Sequence, residues 1–423
     1  MTAGAGISGQ PAGALDLIAT ADLAGICRGR AVPAGTASSV GWVPANLAIN
    51  CFATLADNPF GSVGDLRIHA DPATAVPLPS SGAQVTLLLG DLRNPDGTEW
   101  ACCPRTLLRR TLDELRASTD LVVRASFEHE FVLGALGSAD RPGHPFAVQT
   151  LLAGEPFGSQ LVAALARAGL EPENWLPEFG RDQWEVTVRP ADGLAAADRA
   201  ILLREIVRAA ALAAGRTASF TPVPPGCGAT SGAHIHFSLW TADGEPVTGG
   251  DGEHGLSKTA AAFASGILDH ARAVLAFTAP SVLSYHRLGP GHWSADSPRL
   301  AARDREALLR IPGPAATTSA AAQPHLEFRA ADSTANPWLA LAVLVRAGLA
   351  GVTGEGSVST VPAAATFPQS LDEAVSALER DAVLSTWLPA DLLHTYLSVK
   401  HAEIAEVAHL SPDDLYERYA HAH

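Results

Sequence analysis

Apolar and polar residues follow two different patterns along the chain, and the pattern changes near residue 104. Before that point, short apolar stretches alternate with Gly, Pro, Asp and Asn, which is typical of strands joined by turns. The strands predicted from this pattern span residues 40–49, 66–69 and 84–92. Residues 1–104 are therefore predicted to form a small domain rich in β-structure.

Beyond residue 104, apolar residues recur with the spacing of helices that alternate with short strands. Asn336 precedes Pro337 at the start of one such segment, and this pair is typical of an N-cap followed by a proline in the first helical turn. The predicted class is α+β, with a second and larger domain over residues 105–423. The predicted helices span residues 106–117, 199–214, 258–278, 336–350, 371–382 and 390–407.

Polar residues that could carry chemistry stand two positions apart inside four of the apolar segments. Residues i and i+2 of a strand project from the same face, so the two members of each pair should point together. If the strands are neighbours, these side chains and Glu178 converge on one cavity. The pairs are Glu128 with Glu130, Gln183 with Glu185, His234 with His236, and Glu327 with Arg329.

This convergence would bring five carboxylates and one histidine together, and so many anions cannot share a cavity without cations. Divalent metal ions are the natural partners. An oxygen-rich set with one imidazole suits Mg²⁺ or Mn²⁺ better than zinc, and such cations usually handle phosphates. The predicted metal ligands are Glu128, Glu130, Glu178, Glu185, His234 and Glu327.

Positive charge for phosphate groups comes from arginines concentrated between Tyr285 and Pro312. Guanidinium groups match phosphate and carboxylate oxygens, and their combination with metals suggests phosphoryl transfer. Taken alone, each signal has a more ordinary interpretation: a solvated strand face, a structural histidine pair, or an amphipathic helix surface around residues 299–310. The arginines are Arg287, Arg299, Arg303, Arg305 and Arg310.

Composition narrows the classes of function. A net charge of −15 without a basic block argues against nucleic-acid binding. The most apolar helical stretch, near residues 259–278, carries Asp269, His270 and Arg272, which indicates a packed helix and not a membrane span. Five cysteines without zinc-ribbon spacing indicate reduced thiols in a cytoplasmic protein, and residues 1–11 lack the pattern of a signal peptide.

Taken together, these segments resemble the glutamine synthetase family over nearly the whole chain. The resemblance rests on five motifs in the family's order: EHEF at 128–131, the segment 178–185, SGAHIHFSL at 231–239, RLGPG at 287–291 and LEFRAADSTANPWLA at 326–340. It implies a β-grasp-like N-terminal domain and a catalytic domain built as an antiparallel-sheet funnel with outer helices. It also implies homo-oligomeric rings, commonly dodecamers, whose active sites are shared between neighbouring subunits.

The same resemblance implies a role for each site residue. One metal ion, facing the acceptor substrate, would lie between Glu130, Glu178 and Glu185, and a second, bridging the ATP phosphates, between Glu128, His234 and Glu327. Arg305 and Arg310 would contact the phosphates, His236 and Ser238 would lie on the nucleotide side, and Arg287 and Arg329 would clamp a substrate carboxylate. Arg305 and Arg329 are the catalytic candidates.

The chain departs from the ammonia-using members of the family at two acidic positions. Those members carry an aspartate shortly before the Gly-Trp of the N-terminal domain, whereas residues 35–40 before Gly41 and Trp42 contain no acid. They also carry a glutamate six residues after the substrate arginine, where this chain has Trp293. Because a tryptophan offers the amine an apolar or cation–π wall, we expect Trp293 to contact a substrate amine larger than ammonia.

Two other departures concern the nucleotide and the amino-acid substrate. His325 stands where an arginine usually helps to bind the nucleotide phosphates. Ala229 and Thr230 replace the family's Asn-Gly pair beside the amino-acid substrate. The first departure could weaken nucleotide binding or make it depend on pH, and the second leaves the identity of the acyl donor open.

The expected function is an ATP-dependent carboxylate–amine ligase that forms an amide through an acyl phosphate. The leading hypothesis is γ-glutamylation of an amine other than ammonia, as in γ-glutamyl-amine and polyamine synthetases. The expected partners are small molecules: ATP, a glutamate-like carboxylate and an amine, with Mg²⁺ or Mn²⁺ as cofactor. Two alternatives are an ammonia-using glutamine synthetase with an altered pocket and a non-catalytic, ring-forming relative.

Overall fold

The computed structural model describes residues 13–80, 82, 84–135, 144–313, 324–354 and 366–423. Residues 1–11, for which the sequence predicts no signal peptide, lie outside these ranges. The strands fall into two sheets, one on each side of residue 104. Mixed sheets combined with helices confirm the predicted α+β class. The division between residues 104 and 105 lies at the first turn of a helix and stays a prediction.

The N-terminal sheet has the strand order β2-β1-β6-β4-β3, with β5 beside β6. Strands β1 and β6 run parallel, and the other neighbours are antiparallel. This mixed sheet fits the β-grasp-like domain that the resemblance implies. Its strands are β1 (Leu15–Ala21), β2 (Cys27–Pro33), β3 (Ser39–Trp42), β4 (Leu66–Ala70), β5 (Val76–Leu78) and β6 (Val85–Arg93).

One of the three predicted N-terminal strands is too long. The strand predicted over residues 40–49 ends at Trp42, and a 3₁₀ helix, Pro44–Ala48, follows it. Pro44 at the start of that helix has no N–H to offer a neighbouring strand, and its fixed φ suits a helical turn. The strands predicted over residues 66–69 and 84–92 are confirmed.

The larger sheet has the order β13-β14-β15-β12-β7-β9-β8, with two short strands, β10 and β11, also paired with β7. Its pairs are antiparallel except for β13 with β14. Arg299 lies on β13 and Arg310 on β14, with Arg303 and Arg305 in the segment between these strands, so an amphipathic helix there is wrong. The strands are β7 (Leu121–Ala135), β8 (Pro172–Pro177), β9 (Gln183–Val188), β10 (Ala191–Asp192), β11 (Arg216–Ser219), β12 (Ala233–Thr241), β13 (Ser297–Ala302), β14 (Ala307–Ile311) and β15 (Leu326–Phe328).

Helices cover one side of this sheet and supply most of the core. The helix that begins after Asn336 is buried over its first fourteen residues, and the Asn336 side chain caps it by accepting from the N–H groups of Trp338 and Leu339, as predicted. The helices are α1 (Pro104–Thr119), α2 (Val148–Ala153), α3 (Phe157–Arg167), α4 (Gly193–Ala213), α5 (Lys258–Asp269), α6 (Ala271–Thr278), α7 (Ser284–Arg287), α8 (Pro337–Thr353), α9 (Leu371–Arg380), α10 (Ala382–Trp387), α11 (Ala390–Val407) and α12 (Pro412–Ala422).

Two predicted helices are in fact broken. The stretch 258–278 forms α5 and α6, which meet at His270 with a bend of 78°. The stretch 371–382 ends at Arg380, because the Asp381 side chain caps the next helix by accepting from the N–H groups of Val383 and Leu384. Within the described ranges no single helix is long and apolar enough to cross a membrane, although α5 and α6 together meet that length and composition.

A buried ion network fixes the first sheet against the rest of the molecule. Arg105, in the first turn of α1, lies 2.8 Å from the carboxylate of Asp198 on α4 and 3.0 Å from that of Asp91 on β6. Asp198 also accepts a hydrogen bond from the indole N–H of Trp338 at 2.8 Å. Since buried charges must be paired, this network holds β6, α1, α4 and α8 in one arrangement.

Candidate active site

A cavity of about 980 Å³ opens beside the centre of the larger sheet. Strands β7, β8, β9, β12, β14 and β15 contribute its walls, together with the segments 223–230 and 286–293 and helix α12. It brings together all six predicted metal ligands and five of the other predicted site residues. These are Glu128, Glu130, Glu178, Glu185, His234 and Glu327, with Arg287, Trp293, Arg305, Arg310 and Arg329.

The register of the strands explains this convergence. Strand β7 lies between β12 and β9, and β12 lies between β7 and β15. Residues directly opposite each other in a sheet share a face, so the same-face pairs of each strand are aligned across four neighbouring strands. On either side of the Glu128–Glu130 pair, Phe127 and Phe131 point to the other face and are buried in the core. The opposed pairs are His234–Glu128, Glu130–Glu185 and His236–Glu327.

Glu128 lies between two histidines. One carboxylate oxygen is 3.1 Å from Nδ1 of His234, and the other is 3.0 Å from Nε2 of His236. Burial raises the pKa of Glu128, but the hydrogen bonds with both histidines outweigh burial and hold that pKa well below its usual value. Burial and the nearby charge of Arg329 lower the pKa of His234 to about 4, so its imidazole is neutral at pH 7.

Three other carboxyl groups of the cavity, those of Glu130, Glu178 and Glu185, are hard to ionise together. Burial raises the pKa of Glu130, and burial with the charge of Glu130 raises the pKa of Glu178 to about 7. Burial, followed by the charges of Glu128 and Glu130, also raises the pKa of Glu185. Among Glu130, Glu178 and Glu185, burial and the neighbouring carboxylates disfavour the charged forms, so a cation placed among these three groups would stabilise them.

A divalent cation fits this cluster. The donors are carboxylate oxygens with one imidazole, which suits Mg²⁺ or Mn²⁺. Ligand atoms of Glu128, Glu130 and His234 all lie within 4.8 Å of one another. This group contains ligands of both metal sites that the resemblance implies. Glu130 belongs to the first site, and Glu128 and His234 belong to the second. The division of the residues between two ions stays a prediction.

Two arginines hold Glu327 at the edge of the cluster. Arg310 donates from Nη1 to one carboxylate oxygen at 2.6 Å, and Arg329 donates from Nη1 to the other. Arg329 also donates from Nε to the backbone oxygen of Arg305 at 2.6 Å. Burial raises the pKa of Glu327, but His236, His234 and Arg329 outweigh burial and lower it. The guanidinium groups are thus oriented by the same carboxylate that the sequence predicts as a metal ligand.

Arg287 and Gln183 line the cavity and also donate hydrogen bonds to backbone oxygens around it. Arg287 is almost fully buried and donates to the backbone oxygens of Ala330 and Arg329 at 3.1 and 3.0 Å. Gln183 donates from its side-chain amide to the backbone oxygen of Thr230 at 2.9 Å, which fixes the segment predicted to hold the amino-acid substrate. Arg287 still lines the cavity, and its role as a carboxylate clamp stays a prediction.

Two predicted nucleotide-side residues do not line this cavity. His236 Nδ1 lies 3.1 Å from Nε2 of His325, the histidine that stands at the family's arginine position. Ser238 accepts a hydrogen bond from the indole N–H of Trp240 at 2.8 Å, and the guanidinium of Arg124 lies 4.4 Å from the Trp240 ring. Both residues share the strand face of His234, further along β12.

The cavity also has walls that the sequence did not indicate. Some of these residues lie within or beside a motif, as Phe179, His286 and His292 do, but no pattern marks them, and tertiary packing brings the others to the site. No residue of the described ranges 13–80 and 84–104 lines the cavity, so the stretch 35–40 and Trp42 lie away from it within one chain. The unpredicted lining residues include Phe146, Phe179, His286, His292, Asp413 and Tyr416.

Comparison with known sequences matches both parts of the chain. A family model described as the glutamine synthetase catalytic domain matches residues 101–419, and a model of the glutamine synthetase N-terminal domain matches residues 11–100. The γ-glutamylpolyamine synthetase GlnA3 of Streptomyces coelicolor is 32% identical, over 95% of this chain and 92% of its own. The glutamine synthetase of Pyrococcus horikoshii is 33% identical, over 76% of this chain and 74% of its own.

Solved structures show the same likeness. A crystal structure of a novel glutamine synthase homolog superposes with a TM-score of 0.90 at 40% identity, and covers 99% of this chain and 100% of its own. The ligand-free structure of GmaS superposes with a TM-score of 0.80 at 27% identity, and covers 94% of each chain. The similarity therefore extends over both sheets.

Proposed function

Because the chain belongs to the glutamine synthetase family and is an ATP-dependent ligase, we propose that it joins a glutamate-like carboxylate to an amine larger than ammonia. The observation that carries this proposal is Trp293. This residue is 59% exposed and lines the cavity at a position where ammonia-using members carry a glutamate. Small, strongly hydrated ammonium needs anionic ligands, whereas an aromatic face attracts an alkylammonium group with its attached methylenes.

Other features of the cavity support a larger amine. Phe146 and Phe179 also line it and are 51% and 58% exposed, so apolar surface is available for an alkyl chain. The relative from Streptomyces coelicolor is named as a γ-glutamylpolyamine synthetase. Several other relatives are named as glutamine synthetases, so ammonia is the alternative acceptor that the experiment must include.

The reaction has two steps. In the first, a carboxylate oxygen of the acyl donor attacks the γ-phosphorus of ATP, which gives an acyl phosphate and releases ADP. In the second, the amine nitrogen attacks the carbonyl carbon, the bond from this carbon to the phosphate oxygen breaks, and phosphate leaves as the nitrogen loses a proton. The product is an amide.

The arginines of the cavity offset the charge that moves in the first step. Arg305 and Arg310 face the cavity and would contact the phosphate oxygens of ATP. Arg329 is held in place by Glu327 and by two backbone oxygens, so its guanidinium needs no reorganisation as charge develops. Arg287, together with Arg329, would bind the carboxylate of the acyl donor, for which we propose glutamate.

The glutamate side chains of the cavity, with His234, are the proposed metal ligands. Glu128, Glu130, Glu178, Glu185, His234 and Glu327 would hold Mg²⁺ or Mn²⁺, which when bound acts as a Lewis acid on phosphate oxygens. His236 and Ser238 would lie beside the nucleotide. The histidines orient Glu128, since each contacts one of its carboxylate oxygens.

We also propose that the protein works as a ring-shaped homo-oligomer, such as a dodecamer, in which a neighbouring N-terminal domain completes the cavity. The absence of described N-terminal residues from the cavity of one chain supports this arrangement. The two domains would be residues 1–104 and 105–423. The five cysteines form no disulfide, which supports a cytoplasmic location.

A competition experiment tests the acceptor. The protein is incubated with glutamate, ATP and Mg²⁺ or Mn²⁺ in an equimolar mixture of ammonium and alkylamines, diamines and aromatic amines, and the products are identified by mass spectrometry. We expect amides of a larger amine to exceed glutamine. Glutamine as the main product would favour the ammonia-using alternative.

A further inference from the structure

Helix α12 brings a carboxylate and a phenol to the cavity. Asp413 and Tyr416 stand three positions apart on this helix, so they lie on the same side of it, and both line the cavity. Neither residue belongs to a segment in which the sequence indicates chemistry. Asp413 is exposed and, within the described ranges, its carboxylate has no salt bridge or side-chain hydrogen bond.

The position of α12 is fixed by buried contacts. Tyr419 is fully buried and donates from its hydroxyl to the carboxylate of Glu403 on α11 at 2.6 Å. The backbone oxygen of His423 accepts hydrogen bonds from the N–H of Phe220 at 2.9 Å and from Arg208 at 3.0 Å. Asp413 is therefore presented by an anchored helix and not by a loose terminus.

The same helix is connected to the substrate-arginine segment. The hydroxyl of Tyr416 lies 3.3 Å from Nδ1 of His286, and the two rings meet edge to face. His286 immediately precedes Arg287, which lines the same cavity. Val223, another lining residue, packs in one apolar cluster with Leu415. This wall is thus continuous with the cavity in which the amine reacts.

We propose that Asp413 binds a second, distal ammonium group of the amine substrate, so that the substrate class is a diamine or polyamine. The inference rests on the proposed function. A methylene chain would lie along aromatic surface such as that of Trp293 and Phe179, which suits the uncharged part of the molecule. Its far ammonium group then meets a carboxylate that has no other cationic partner in the described part of the chain.

Because Asp413 is exposed to solvent, its proposed ion pair with the substrate should be weak. An exposed ion pair is weak and is screened by salt, so Asp413 should act on selectivity and not on the chemical step. We expect it to change KM for substrates with a second cation. The effect should shrink as the salt concentration rises.

The test compares two substrates in two variants. The substrates are 1,4-diaminobutane and 1-aminopentane, which have similar length but differ in the second ammonium group. For Asp413→Asn we expect the ratio of kcat/KM for the diamine over the monoamine to fall about fivefold, carried by KM of the diamine. Asp414→Asn is the matched control, because it removes the same charge from the same helical turn but Asp414 does not line the cavity. It should leave the ratio unchanged.

Two results would overturn the inference: an unchanged ratio in Asp413→Asn, with or without an equal loss for both substrates, or an equal fall of the ratio in Asp414→Asn. The proposed function is tested separately by whether the unmodified enzyme releases phosphate with any amine other than ammonia. If it does not, calorimetric titration of 1,4-diaminobutane into enzyme with Mg²⁺ and a non-hydrolysable ATP analogue still decides the subsite. Equal affinity, or no binding, in both the unmodified enzyme and Asp413→Asn would then overturn it.

Discussion

Arg329 donates a hydrogen bond from Nη2 to the backbone oxygen of Trp293, with an N–O distance of 2.8 Å. The same guanidinium contacts the carboxylate of Glu327. Trp293 adopts a left-handed backbone conformation, with φ of 52°, which is uncommon for a bulky residue. One arginine thus links the proposed amine wall to the acidic cluster, and it helps to hold Trp293 in a conformation that the backbone does not favour.

Replacement of Arg329 by lysine tests whether the positive charge is sufficient or whether the shape of the guanidinium group is also needed. Lysine keeps the positive charge but lacks the planar fork that reaches Glu327 and two backbone oxygens at once. We expect kcat to fall about a hundredfold in a phosphate-release assay. Arg299→Lys is the control, because Arg299 pairs with Asp296 and Asp304 and does not line the cavity. Equal losses in both variants would contradict a specific role for Arg329.

Replacement of Trp293 should change selectivity among amines. Trp293→Ala removes the aromatic face and should lower kcat/KM for an alkylamine about fivefold, whereas Trp293→Phe should keep part of it. The measurement is amine-dependent phosphate release at saturating ATP and glutamate. If alanine and phenylalanine behave alike, the ring makes no contact with the amine.

Metal binding should release protons and strengthen as the pH rises. The pKa of Glu178 is raised to about 7 by burial and by Glu130, so at pH 6 this carboxyl is mostly protonated and the ion must displace its proton. Calorimetry with Mn²⁺ in buffers of different ionisation enthalpy should show tighter binding at about pH 8 than at about pH 6. Equal affinity at both pH values would show that Glu178 does not ionise on binding.

The raised pKa of Glu178 also makes the stability of the metal-free protein depend on pH. A raised pKa in the folded state means that Glu178 contributes stability below its unfolded pKa, and that this contribution is lost as the pH rises from about 4.5 towards 7. The rise in Tm on adding Mn²⁺ should therefore be larger at about pH 8 than at about pH 6, because binding also strengthens.

Glu185 should destabilise the metal-free protein but be required for metal binding. It is buried among other carboxylates that raise its pKa, so Glu185→Gln should keep or increase the Tm of the metal-free protein. The affinity for Mn²⁺ should nevertheless fall at least about tenfold. Glu173→Gln serves as the control, since Glu173 is exposed beside Arg189. A large loss of Tm with unchanged Mn²⁺ affinity would make Glu185 a structural residue.

The sequence was informative where a local rule determines the structure. Strand periodicity alone placed Glu128 with Glu130 and His234 with His236 on common faces, because alternation of side chains depends only on neighbouring residues. The cap at Asn336 was equally local. The neighbour relations of the strands were assumed at that stage, and the pairing registers of β7, β9, β12 and β15 supply them.

Other features depend on long-range packing or on competing local signals. The spacing of the arginines near residue 300 suits a helix face, yet this segment contributes to β13 and β14. These strands pair with each other, and β14 also pairs with β15, because strand pairing outweighs weak periodicity. The bend at His270 lies in an apolar run with no proline to mark it. Asp413 and Tyr416 reach the cavity only because α12 docks against distant residues.

The central claim is that the acceptor is an amine larger than ammonia, and steady-state phosphate release by the unmodified enzyme tests it most directly. With glutamate, ATP and Mg²⁺ held at saturation, kcat/KM is measured for 1,4-diaminobutane and for ammonium. The account predicts that the diamine is preferred by at least about a hundredfold. An ammonium value equal to or above that of the diamine, confirmed by glutamine as the product, would contradict it.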